Sequence, residues 1–190
     1  MMIKRIEEIF DESISVCSKS KKIASKIQIA AETIISCYKK GNKVIIFGNG
    51  GSAADAQHMA AEFVGRYMLE RKSLPAVAFT TDTSIITALG NDYGFENIFS
   101  RQAESMITKG DVVIAITTSG NSKNVLNGII TAKKNGASII GLTGQNGINM
   151  QKFVDILLDI PSKSTPRIQE GHRVVIHTIC ELVEKEFSTS

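Results

Sequence analysis

His58 and Glu62 stand four residues apart in a stretch with helical apolar spacing, so both fall on one face, a turn apart. An imidazole and a carboxylate so placed can divide acid–base work or share a metal ion. A solvated surface pair is the plainer alternative. A second imidazole, His177, lies inside Val174-Val175-Ile176-His177-Thr178-Ile179. Such surroundings suit a hydrogen-bonded core histidine or a proton carrier kept from water. Gln169 precedes it by eight residues, a rise of about 12 Å along a helix. One helix would struggle to bring both side chains to one small ligand. If both serve one site, different copies of the chain contribute them, and an oligomer with shared sites is expected.

Two loops offer places for an anion. Gly48-Asn49-Gly50-Gly51-Ser52-Ala53-Ala54-Asp55 follows a short apolar run. Its glycines allow close approach of backbone to ligand, and the helix start behind them presents free N–H groups and partial positive charge. The spacing fails the dinucleotide pattern Gly-x-Gly-x-x-Gly at its last position, and no Gly-Lys-Ser/Thr follows. Thr117-Thr118-Ser119-Gly120-Asn121-Ser122 places four hydroxyls within six residues before another helical pattern. Hydroxyls and a helix N-terminus can hold a phosphate without arginine. A tight turn and a helix cap are the simpler readings of these loops taken singly. Two such loops after strands of one parallel sheet favour a ligand, because open α/β sheets bind at the carboxyl ends of their strands.

The elements needed to position these groups are legible in the period of the apolar residues. Ile3, Ile6 and Phe10, then Ile23, Ile27, Ala30 and Ile34, recur at helical intervals, and Gly41-Asn42 stops the second helix. Continuous apolar runs follow at Val44–Phe47, Ala76–Phe79, Val112–Ile116 and Ser138–Leu142, with a weaker one at Asp155–Leu158. Strands of this kind, separated by helix-length segments, predict a five-stranded parallel sheet in an αβα sandwich, preceded by N-terminal helices. A last helix is expected over Thr165–Phe187, with Pro166 in its first turn and Ile168, His172, Val175, Ile179 and Leu182 facing inward. Ser188-Thr189-Ser190 reads as a frayed tail.

The 190 residues suit a single domain, with residues 1–40 as oligomerisation helices. Apolar residues make up 43% and charged residues 22%, ordinary for a globular protein. A net charge of +3 from scattered lysines does not argue for nucleic acid. No apolar run approaches membrane-spanning length, and acidic residues interrupt the N-terminus, so no membrane partner and a cytoplasmic location are expected. Cys17, Cys37 and Cys180 have no metal-type spacing and read as buried, reduced thiols.

The run from Gly48 to His58, with Glu62, resembles the signature of the phosphoheptose isomerases. So do Thr80-Thr81-Asp82-Thr83, Gly90-Asn91-Asp92-Tyr93-Gly94, Thr118-Ser119-Gly120-Asn121-Ser122 and Arg167-Ile168-Gln169-Glu170. The first motif is specific to that family; the serine loop alone marks only the wider sugar-isomerase (SIS) domain superfamily. The resemblance implies conversion of sedoheptulose 7-phosphate to D-glycero-D-manno-heptose 7-phosphate through an enediolate, opening nucleotide-activated heptose biosynthesis. It implies Glu62 and His177 as the acid–base pair. Ser52, Ser119 and Ser122 would hold the phosphate with Thr117 and Thr118, and Asn49, Gly50, Gly51, Asn91, Asp92 and Gln169 would contact the sugar. Some members bind zinc through residues matching His58, Glu62, Gln169 and His177, and a homotetramer with sites at subunit interfaces is implied.

Two positions depart from the family pattern. Thr117 stands where Ser is frequent, and Pro166 where some members carry Asp, so no role for that carboxylate transfers. Two other readings stay open: an isomerase of another sugar phosphate, and a non-catalytic SIS-domain protein of the replication-initiator-binding type. The pairing of Glu62 with His177 favours the enzyme.

Overall fold

The computed structural model describes residues 1–188, apart from the side chain of Ile148. Two helices open the chain, α1 (Met2–Ser20) and α2 (Ala24–Lys39), joined by a 3-10 turn. Gly41, at φ 77°, ends the second one as the sequence implies. Then come β1 (Val44–Gly48), α3 (Gly51–Val64), β2 (Ala76–Ala78), α4 (Thr83–Tyr93), α5 (Ile98–Met106), β3 (Val112–Ile116), α6 (Lys123–Lys134), β4 (Ser138–Gly144), α7 (Ile148–Gln151), β5 (Ile156–Ile160) and α8 (Thr165–Phe187).

All five strands pair in parallel in the order β2-β1-β3-β4-β5. The strands read as unbroken apolar runs because both faces are covered. Val44 and Ile46 enter one core with α2, α3 and α8, while Ile45 and Phe47 enter the other with α5 and α6. The chain leaves β1 toward β2 on one side and returns to β3 on the other. The switch point therefore falls between β1 and β3, paired from Val44↔Val112 to Gly48↔Ile116, and the two hydroxyl- and glycine-bearing loops leave the sheet side by side.

Several expectations shift. β5 begins at Ile156 rather than Asp155, whose carboxylate instead accepts from the Ile139 N–H at 2.8 Å and from Lys133 at 3.0 Å. β4 runs to Gly144, where it still pairs with Ile160. On α8, Val183 takes the inward position expected for Leu182, which is 38% exposed; a step of four from Ile179 keeps the stripe facing the core. Cys37 and Cys180 are buried, Cys17 only partly. Ser188 forms an antiparallel bridge with Arg71, while Thr189 and Ser190 of the expected tail lie outside the described residues. The N-terminal part of the apolar stripe of α1 meets no core of its own chain, with Ile3 74% and Phe10 66% exposed, while Val16 near its end packs against the core. Polar contacts also tie α1 to the start of α8, where Arg167 donates to the Ile9 carbonyl at 2.9 Å and Ser13 to Glu170 at 2.7 Å.

Candidate active site

The glycine loop turns on backbone geometry. Gly50 sits at φ 55°, a region costly for residues with a Cβ, and caps α3. At Gly51 a Cβ would overlap the Gln169 amide, so the absent side chain lets α8 close against the loop. Asn49 and Asn124 exchange two hydrogen bonds, at 2.9 and 2.8 Å, tying this loop to the start of α6. The Asn124 oxygen also accepts from the Val125 N–H at 2.9 Å.

The hydroxyl loop is not an ordinary helix cap. Ser122 occupies the N-cap of α6, yet its side chain makes no capping bond and meets the buried Thr117 hydroxyl at 3.0 Å. Thr117 also lies 3.5 Å from the Ser119 hydroxyl. Asn49, Gly50, Gly51, Ser52, Thr117, Thr118, Ser122, Thr165 and Gln169 line one cavity of about 280 Å³. Three helices, α3, α6 and α8, begin at its wall, each turning its positive dipole end inward. Among the described residues no Lys or Arg lines this cup, so an anion there would be held by hydroxyls and helix ends. Ser119 lines the adjoining cleft with Thr118, Asn121, Thr165 and a cation, Lys163.

The candidate acid–base groups lie along the seam where α3 and α8 run in parallel. Gln169 packs at Gly51, Arg173 pairs with Asp55 at 2.6 Å, and His177 meets His58 with Nε2 atoms 2.8 Å apart. Glu62 Oε1 stands 3.4 Å from His58 Nε2. One imidazole must donate its Nε2 proton to the other, so the pair shares a proton. Burial, then the Arg173 guanidinium, holds His58 below the ordinary imidazole range, against the pull of Glu62. Burial raises Asp55 despite Arg173. His177 is therefore a seam residue, and His172 is the buried core histidine of α8, with Nε2 at 3.2 Å from the Thr143 carbonyl. Cys37 and Cys180 are pushed by burial up to about 11 and about 12, far from thiolate chemistry.

The structure does not gather every expected residue. Gln169 stays at the cup while His177 lies two turns along α8. Asn91 and Asp92 bond to each other at 2.7 Å on the exposed end of α4, outside the cavity. In the Thr80–Thr83 motif, Asp82 caps α4 through the Ile85 N–H at 2.9 Å. Sequence reasoning does not reach Asn124, Thr165, Arg173 or Tyr67, whose ring centroid lies 5.6 Å from that of His177. One signal was available: Asp55, His58, Glu62 and Gln169, Arg173, His177 each recur at helical spacing as polar lines in apolar helices.

The SIS domain family matches residues 9–144 of the chain. A phosphoheptose isomerase of Sulfurimonas denitrificans is 48% identical over 188 residues, covering 97% of this chain and 96% of that protein. The structure of a phosphoheptose isomerase from Neisseria gonorrhoeae superposes with a TM-score of 0.92 at 40% identity, over 97% of this chain and 100% of the other. One from Francisella tularensis gives 0.94 at 34% identity, over 97% and 99%. With this coverage and identity, the chain belongs to the phosphoheptose isomerase family of SIS-domain proteins.

Proposed function

We propose that the chain isomerises sedoheptulose 7-phosphate to D-glycero-D-manno-heptose 7-phosphate, with Glu62 and His177 as its acid–base groups. The observation that carries this reading is the single seam that joins an anion cup to a carboxylate and two imidazoles. The phosphate sits among the hydroxyls of Ser52, Thr118, Ser119 and Ser122 and the three helix ends, with Thr117 orienting Ser122. Its binding energy fixes the distant carbons. Glu62 removes the C1 proton, the resulting enediolate is reprotonated at C2, and His177 moves protons between the two oxygens. A well-placed acid or base contributes about 10²–10⁴-fold.

Zinc suits the donors His58, His177 and Glu62 in kind, two imidazole nitrogens and a carboxylate. Among the described residues no three such side chains are already gathered at metal spacing, since the two Nε2 atoms face each other directly. Gln169, the fourth expected ligand, stands at the other end of the seam within one chain. When bound, zinc would supply a Lewis acid for the carbonyl and enediolate oxygens.

The working form in this reading is a homotetramer whose copies share sites. It is supported by the exposed apolar stripe of α1 and by Asn91 and Asp92 lying away from the cup of their own chain. Light scattering should return a mass several times 20.6 kDa; a monomer would remove shared sites. Among the described residues no helix is long and apolar enough to cross a membrane. Its three free cysteines agree with a cytoplasmic setting.

The decisive test is Glu62→Gln in a coupled assay for aldoheptose 7-phosphate. Turnover should vanish while sugar phosphate still binds. Near-normal turnover would sink the assignment of Glu62.

A further inference from the structure

The segment after α3 is held by two buried charges that the proposed chemistry does not use. Arg71 and Glu184 have side chains 1% and 2% exposed, with Arg71 Nε 3.5 Å from Glu184 Oε1. Glu184 accepts three consecutive backbone N–H groups, from Tyr67 at 2.7 Å, Met68 at 2.6 Å and Leu69 at 2.8 Å. Burial works to raise this carboxyl, yet the three N–H donors and Arg71 outweigh it and hold it below the ordinary range. Arg71 closes the other side. Its guanidinium donates to the carbonyls of Glu62 at 2.6 Å, Phe63 at 2.9 Å, Gly65 at 3.2 Å and Lys72 at 2.9 Å. It thus satisfies the last carbonyls of α3 and places a cation at the negative end of that helix.

Burying two charges costs desolvation that an apolar pair of the same volume would avoid. What an apolar pair cannot do is accept three successive N–H groups and donate to four carbonyls. The product of that bonding is geometric. It fixes the turn that carries Glu62, and it fixes Tyr67 in the turn that follows. The Tyr67 ring lies at 40° to the His177 ring, with centroids 5.6 Å apart, and the His177 ring lies 5.1 Å from that of His58.

We propose that Arg71 and Glu184 form a clamp that presents Tyr67 as a positioning residue for His177, its ring holding the imidazole in the plane in which Nε2 meets His58. Tyr67 acts through its ring and through His177, without touching substrate. The proposal rests on the isomerase reading for its kinetic arm, and a second arm is independent of turnover.

The chain has three histidines, His58, His172 and His177, so their ring resonances can be followed singly, with the buried His172 as an internal reference. In Tyr67→Ala, the His177 and His58 resonances should shift or broaden while His172 stays in place. Under the same change, kcat should fall about tenfold with KM for sedoheptulose 7-phosphate within about twofold, as expected for misorientation of a bound pair. Tyr67→Phe should restore both readouts, and Glu184→Gln should reproduce the alanine variant. A Tyr67→Ala protein with unchanged His177 resonances overturns the proposal even if the wild-type chain shows no isomerase activity. So does a Tyr67→Phe variant as impaired as Tyr67→Ala, since the hydroxyl would then be the acting group. Absence of turnover in the wild-type chain, with the resonance shifts as stated, would strike the isomerase reading and leave the clamp standing.

Discussion

The cup at the switch point and the seam between α3 and α8 solve different problems. The cup is made of backbone turns, small hydroxyls and helix ends contributed by short local runs, with Thr165 and Gln169 added from α8. The seam is made of side chains about 118 residues apart in sequence, brought together by helix packing. A cup of this kind tolerates little change in shape where its walls are main chain, as at Gly48, where a Cβ would meet the Ile116 carbonyl oxygen at 2.7 Å. In the proposed mechanism the seam tolerates change in shape but little change in chemical type, because a proton would pass between named atoms.

This contrast predicts how variants divide. The largest effect belongs to the seam: Glu62→Gln should lower kcat by about 10²–10⁴-fold and leave binding nearly intact. An equal rise in KM would erase the distinction between the two regions. Next comes the cup. Gly51→Ala puts a methyl where the Gln169 amide packs, so KM should rise roughly tenfold while kcat changes less. A pure kcat effect would place Gln169 with the proton-transfer groups instead.

The smallest effect on turnover concerns the scaffold behind both. His172, buried with its Nδ1 unpartnered, is lowered by burial to about 4, against the pull of its bond to Thr143. The unfolded chain takes up this proton near the ordinary imidazole value and the folded chain does not. Stability should therefore fall as pH drops from about 6.5 toward 4, by up to about 1.4 kcal/mol per pH unit from this group. Thermal unfolding across that range should flatten in His172→Gln. An unchanged acid slope would assign the sensitivity to other groups.

The same division explains what could be read from sequence. The strands, the glycine loop and the hydroxyl loop are local, and the glycine and polar residues lining the cup are identifiable from sequence, except for Thr165; Asn124, which braces Asn49 from α6, is not. The loop before Thr165 carries no glycine signal, and Asn124, an asparagine in a first helical turn, looks like a cap. Glu62, His58 and His177 stood out as polar residues on apolar helices. Their distances, and the company of Arg173 and Tyr67, depend on how α8 docks on α3, which periodicity does not specify. The α1 stripe shows the reverse case. Its apolar period gave a helix correctly, yet the same residues that mark a core face elsewhere stay exposed here.

The parallel register of α3 and α8 also makes α8 a ruler. Gln169, Arg173 and His177 are graduations on one stiff rod, read against Gly51, Asp55 and His58 on another. A slide of α8 by a single residue, about 1.5 Å, would misalign all three pairs together. The far end of the rod is fastened by Glu184 to the turn that ends α3 and by Ser188 to Arg71. In the proposed reading, phosphate grip and proton transfer therefore share one mechanical coordinate, and whatever moves α8 along its axis reaches both.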